Sequence, residues 1–151
     1  MDSSVIKAMN HVGVSVADLE RAIGFYRDVL GMDLIAQPFP FEGPMFAQVM
    51  ALDGARGRMC VLAKNGLQLE LFEFAHPRPA PMDPDQPVSD RGLSHFGVEV
   101  ADLDAAYARL AAAGVRFHCP VQTFPSGVKA TYARDPDGNV FELLELPRRT
   151  G

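Results

Sequence analysis

The chain writes one phrase twice. "HVGVSVADLERAIGFYRDVLG" begins at His11 and "HFGVEVADLDAAYARLAAAGV" begins at His95. Overlaid at an offset of 84 residues, the histidines coincide, Gly13 falls on Gly97, Val14 on Val98, Val16 on Val100, and Ala-Asp-Leu recurs. An internal repeat constrains the fold more tightly than composition does, because one supersecondary unit made twice must account for most of the chain. A length of 151 residues with 48% hydrophobic side chains can bury one good core, or two half-cores that share an interface.

In both copies the residues after the histidine alternate. Val12, Val14 and Val16 stand against Gly13 and Ser15, and Phe96, Val98 and Val100 against Gly97 and Glu99, which is the pattern of a half-buried strand. Asp18 and Asp102 follow where a side-chain oxygen can cap a first helical turn. Leu19, Ala22, Ile23, Tyr26 and Leu30 then form a core stripe, mirrored by Leu103, Ala106, Tyr107 and Leu110, with Gly31 and Gly114 placed as left-handed stops. The second half continues as strands over about 115–122, 127–134 and 139–146, the last two joined by "DPDGN". The first half ends in a hairpin, 58–64 and 67–74, turned by Asn65-Gly66. Each half therefore reads as strand, helix and three strands. This organisation places a first module over 1–75, with a helical insertion at about 42–52 opened by Pro44 and closed by Gly54. A proline-rich connector at 76–92 leads into a second module over 93–151.

The terminal strands of the two halves align at an offset of 72, "LQLELFEF" at 67–74 on "NVFELLEL" at 139–146, which puts Glu70 upon Glu142. Leu67, Leu69 and Leu71 make the helix-packing face, so Glu70 shares the other face with Gln68 and Phe72, and Glu142 shares its face with Val140 and Leu144. A carboxylate among apolar neighbours is costly unless paired, hydrogen-bonded or metal-bound. If the non-helical faces turn inward, His11, Glu70, His95 and Glu142 converge on one cavity. Two imidazoles and two carboxylates suit one divalent first-row metal ion, with coordination positions left for water or substrate. A solitary strand histidine or glutamate is structural by default; recurrence at matching places in two copies favours ligation. Glu73 and Glu145 fall on the helix-packing side near strand ends, as solvated or salt-bridged groups. His76 and His118 lack the symmetry and are not assigned as ligands.

A net charge of -5 and the absence of a long basic run argue against nucleic acid. The closing "PRRT" reads as a solvated tail. No apolar stretch is long enough for a bilayer, and the opening "MDSSVIKAMN" lacks the pattern of a secretory signal, which places the expectation in the cytoplasm without membrane partners. Cys60 and Cys119 have no CxxC spacing and read as free thiols.

Taken together, "HVGVSVADLERAIGFYRDVLG", "LQLELFEF", "SHFGVEVADLDAAYARLAAAGV" and "RDPDGNVFELLEL" resemble the vicinal oxygen chelate superfamily, the fold of glyoxalase I, bleomycin-resistance proteins and extradiol dioxygenases. The resemblance implies an α+β fold. It consists of two tandem βαβββ modules forming an open, cup-shaped mixed sheet with helices outside, and a homodimer is implied too. It maps His11, Glu70, His95 and Glu142 onto the metal ligands, with nickel, cobalt, zinc, manganese and iron undistinguished. The His, Glu, His, Glu pattern is similar to glyoxalase I. It implies a lyase or isomerase that acts on a small oxygenated substrate through a metal-stabilised enediolate, with Glu142 or Glu70 as base. A ring-cleaving extradiol dioxygenase, served by His11, His95 and Glu142, is the alternative, as is a non-enzymatic drug-binding protein walled by Phe39, Phe41, Phe46, Phe72 and Phe124. "RMCVLAK" at 58–64 lacks the second acidic base of the epimerases. Arg56, Arg58 and Lys129 are the candidates for meeting an anionic substrate, and no thiol cofactor is assigned.

Overall fold

Alternation of valine with small or polar residues produces β1 (Val12–Ser15), in which Val12 and Val14 are buried and Gly13 and Ser15 exposed. The computed structural model describes residues 5–147; the opening four residues and Arg148, Arg149 and Thr150 of the expected tail lie outside the described residues. The chain forms two compact units, one reaching to Pro79 and one starting at Ala80.

In the first unit β1 is followed by α1 (Leu19–Ile23), a π-helical continuation (Gly24–Val29), β2 (Asp33–Phe41), α2 (Pro44–Met50), β3 (Arg56–Lys64) and β4 (Leu67–His76). The sheet order is β1-β4-β3-β2, with β1 parallel to β4 and the other pairs antiparallel. The apolar stripe continues past Ile23, but its hydrogen bonding widens, the Leu30 amide donating to the Phe25 carbonyl at 3.0 Å. That extra residue per turn accompanies burial of the adjacent Phe25 and Tyr26 together, their rings edge-to-face at 5.2 Å. Asn65 and Gly66 both take positive φ, as a two-residue hairpin turn requires. Pro38 and Pro40 sit on β2, an edge strand, and the pairing with β3 shifts register between Ala36 and Phe39, around Pro38. The inserted helix begins at Pro44 as expected but stops at Ala51, which is itself left-handed, rather than at Gly54.

The second unit contains β5 (Phe96–Glu99), α3 (Leu103–Ala112), β6 (Arg116–Phe117), β7 (Gln122–Thr123), β8 (Lys129–Arg134) and β9 (Val140–Glu145). Its sheet runs β5-β9-β8-β6, with β7 also on β8, and β5 again lies parallel to its terminal strand. The single strand expected over 115–122 is two short pieces. Pro120, which has no amide to donate, falls in the break.

Both main helices start in the same way. Asp18 Oδ1 accepts from the Arg21 amide and Asp102 Oδ1 from the Ala105 amide, each at 2.9 Å. A second carboxylate reaches each start from the terminal strand: Glu73 accepts from the Leu19 amide at 2.6 Å and Glu145 from the Leu103 amide at 2.7 Å. Arg58 then clasps Glu73 and Glu20, and Lys129 clasps Asp104 and Glu145. These two cations are paired with carboxylates at the helix starts. Beneath the clasps lie Leu19, Leu69 and Leu71 in one unit and Leu103, Phe141 and Leu143 in the other, each no more than 2% exposed. Each such side chain contributes roughly 1.5–3 kcal/mol through burial. Among the described residues no helix is long and apolar enough to cross a membrane.

Candidate functional site

With the helix side of each sheet occupied by core, the opposite face is where polar groups can meet. Register determines which ones do. Gly13 on β1 lies opposite Glu70 on β4, and Gly97 on β5 lies opposite Glu142 on β9. A glycine across from each glutamate leaves its carboxylate room to turn toward the histidine two residues earlier. His11 Nε2 stands 3.3 Å from Glu70 Oε2, and His95 Nε2 stands 3.5 Å from Glu142 Oε2. All four side chains are partly exposed, from 22% for Glu70 to 39% for His11. The expected ligands are therefore brought together as two histidine–glutamate pairs, one in each unit. Among the described residues no group of three or more His, Cys, Asp or Glu side chains is gathered for a metal ion.

The other ring nitrogen of each histidine is held by the residue before it. His11 Nδ1 donates to Asn10 Oδ1 at 2.7 Å, and His95 Nδ1 lies 2.8 Å from Ser94 Oγ. With the proton on Nδ1, a neutral His11 turns a lone pair on Nε2 toward the carboxylate. Two acceptors at that distance repel unless positive charge lies between them, either a proton or a metal cation. Imidazole and carboxylate are suitable donors for a divalent first-row ion, and a hydrogen bond that orients the far ring nitrogen is the usual support for such a ligand. Each pair thus offers one imidazole and one carboxylate of the donor types such an ion takes.

Sequence reasoning did not single out Asn10 and Ser94, although a short polar residue before each histidine was the available signal. It also missed Tyr132. This residue lies directly across from Glu142 on β8, where the first unit has Val61 across from Glu70. The Tyr132 hydroxyl is 3.3 Å from His95 Nε2, and the two rings pack at 4.6 Å. Burial, reinforced by the charge of Glu142, raises the phenol above its ordinary value and keeps it protonated.

The remaining candidates belong to neither pair. His76 is the exposed last residue of β4. His118 Nε2 accepts from Arg134 Nε at 3.0 Å, an arrangement that uses the lone pair a metal would need. Burial, then Arg134 and Arg116, hold His118 below its ordinary value. Cys60 is buried, its thiol pushed up to about 11 mainly by burial, whereas Cys119 is exposed; both are free. Phe41 belongs to the core, in ring contact with Phe46, Phe72 and Phe74, while Phe39 and Phe124 are exposed.

Comparison with known proteins places this geometry in context. A family model described as the Glyoxalase/Bleomycin resistance protein/Dioxygenase superfamily matches residues 8–143. The chain is 33% identical to a 2-epi-5-epi-valiolone epimerase from Actinomyces sp, over 93% of this chain and 80% of the relative. It is 30% identical to a lactoylglutathione lyase from Pseudomonas aeruginosa, over 90% and 81% of the two chains. Among solved structures, a glyoxalase family protein from Bacillus cereus superposes with a TM-score of 0.85 at 23% identity, covering 97% of this chain and 99% of the other, a likeness of fold.

Proposed function

Because the chain belongs to the glyoxalase/bleomycin resistance protein/dioxygenase superfamily, we propose that it is a divalent-metal-dependent lyase or isomerase acting on a small oxygenated substrate. His11, Glu70, His95 and Glu142 are the proposed ligands, and a homodimer belongs to the same reading. The observation that carries it is the repeated pair. Twice, an imidazole with its Nδ1 held from behind faces a glutamate oxygen within 3.5 Å.

When bound, the cation supplies Lewis-acid polarisation of a substrate carbonyl, which acidifies the adjacent C–H. The protein's own groups do the rest. Asn10 and Ser94 hold the imidazole rings in orientation. Glu142, partly exposed beside Tyr132, takes the proton from carbon and returns it to a neighbouring carbon, with no net gain or loss of protons. Strand β3 offers no carboxylate to serve as a second base. The similarity to an epimerase and to a lactoylglutathione lyase supports chemistry built on moving a proton next to a carbonyl.

Elemental analysis of the purified protein tests the ligands. The expected result is a stoichiometric divalent metal whose affinity falls by more than about 100-fold in His11→Ala and in His95→Ala, beyond the loss typical of an outer partner. Glu142→Gln should retain fold and abolish solvent deuterium incorporation at the carbon next to the carbonyl of a turned-over α-hydroxy ketone. Full metal retention by both histidine variants overturns the ligand assignment.

A further inference from the structure

Much of the expected linker belongs to the second unit, and residues 83–91 lie along it as a strap held by two arginines that border one histidine. We propose that His118, Arg134 and Arg116 form a proton-operated clasp that keeps this strap seated at neutral pH and releases it on acidification. The clasp goes beyond the proposed function and does not rest on it.

Packing shows how closely the strap is seated. Gly138, at φ +100° in the turn between β8 and β9, has the Pro84 backbone against it, and an added Cβ would lie 2.5 Å from Pro84 Cα and 2.7 Å from its carbonyl oxygen. Yet every residue from 83 to 91 is exposed, so little apolar burial holds the strap and polar contacts decide whether it stays. Arg116 reaches Asp85 Oδ1 at 2.6 Å and the Pro84 carbonyl at 3.0 Å, but this pair is open to solvent and holds weakly. Arg134 is 8% exposed and donates to the Gln86 carbonyl at 2.9 Å, to the Gly138 carbonyl at 2.9 Å and to His118 Nε2 at 3.0 Å. One buried guanidinium thus ties strap, turn and histidine together.

Arginine only donates, so His118 Nε2 can accept from it only while the imidazole is neutral and that nitrogen carries no proton. Protonation sets an N–H and a positive charge against a buried cation whose Nε already points at it. The guanidinium must then turn away, taking its bond to Gln86 with it. The groups that face His118 offer no relief. Arg116 and the exposed Cys119 stand on its own segment, Arg134 and Tyr132 come from β8 with the tyrosine ring 5.9 Å away, and Asp85 of the strap is paired with Arg116. Glu142 on β9 lines the same groove, its carboxylate turned to His95. Partial burial first, then the charges of Arg134 and Arg116, already disfavour the imidazolium, so the folded protein takes up this proton below 6.5. The clasp is therefore complete above pH 6.5 and is lost as pH falls through the lowered folded-state value.

Amide NMR of the full-length protein, followed from about pH 7.5 to about pH 4.5, tests the clasp. Backbone order parameters at Asp85, Gln86 and Val88 should stand near about 0.85 at the upper end and drop below about 0.6 on acidification, with the same midpoint as the His118 imidazole signals. In His118→Gln, whose side-chain carbonyl accepts from Arg134 at either pH, the strap should stay ordered throughout. A strap already mobile at pH 7.5, or one that stays ordered while His118 titrates, would overturn the proposal. Release at the same pH in His118→Gln would overturn it too, by assigning the effect to Asp85 and its partner. So would order lost across both sheets at that midpoint, because the strap would then only follow the unfolding of the whole chain.

Discussion

The two units share a frame and differ in what surrounds it. Each presents a strand histidine, a glycine across from a strand glutamate, a capping aspartate and a three-way clasp at the helix start. Around that frame the first unit has Val61 across from Glu70 and a cluster of four phenylalanines, whereas the second has Tyr132 and an open groove beside Glu142. The lesson is that the repeat preserves what orients a histidine–glutamate pair, while the neighbours one strand away diverge.

Three measurements would break or sharpen this comparison. The largest effect is expected at Gly57, next to the Arg58 clasp. An added Cβ there would run into the Glu73 carbonyl oxygen and come within 2.9 Å of the Phe41 ring. Its counterpart by register, Val128, already carries a side chain. Gly57→Ala should cost roughly 1–3 kcal/mol in denaturant unfolding, and Val128→Ala less than about 1. Equal losses would mean that the two clasps are packed alike after all.

Next come the helix caps, where the units should behave as twins. Asp18→Ala and Asp102→Ala should each remove about 1 kcal/mol and lower the thermal midpoint by about 2–4 °C, followed by circular dichroism. A marked inequality between them would show that Glu73 and Glu145 do not support their helices equally.

The smallest effect is a pH dependence confined to the second unit. Burial and the nearby Arg134 and Arg116 hold His118 below 6.5 in the folded protein. Between that lowered value and 6.5 the unfolded chain binds a proton that the folded chain does not. The contribution is therefore complete above pH 6.5 and is lost as pH falls through the folded-state value. Protonation also removes the acceptor that Arg134 uses. The stability difference between the parent and His118→Gln should consequently be greater at about pH 7.5 than at about pH 5, and a constant difference would remove His118 as a titrating contributor.

Particular residues show why parts of the fold were legible in advance. Alternating valines, capping aspartates and Asn65-Gly66 act through local backbone geometry, and they appear where the sequence puts them. The helix that widens after Ile23 and the strand that breaks around Pro120 were less legible. The first follows burial of two consecutive aromatic residues, a demand set by the surrounding core. At the second, a missing amide prevailed over an otherwise strand-like run. The histidine–glutamate pairs were visible as a repeat, but the partners Asn10, Ser94 and Tyr132 were not weighed. Whether an adjacent side chain turns back onto a ring depends on its torsions, and which residue lies across a strand depends on register.

By itself the sequence determined that a strand–helix–strand unit would be built twice, and that each copy would set one imidazole and one carboxylate on the face away from its helix. Both follow from periods of two and of 3.6 residues written along the chain. Only the tertiary structure decided what stands beside each pair. Valine came to oppose Glu70 and tyrosine to oppose Glu142, Arg58 and Lys129 were drawn to the helix starts, and Arg134 was spent on His118 and two carbonyls. Those outcomes depend on contacts between segments distant in the chain, and a period read along one segment carries no information about its partner.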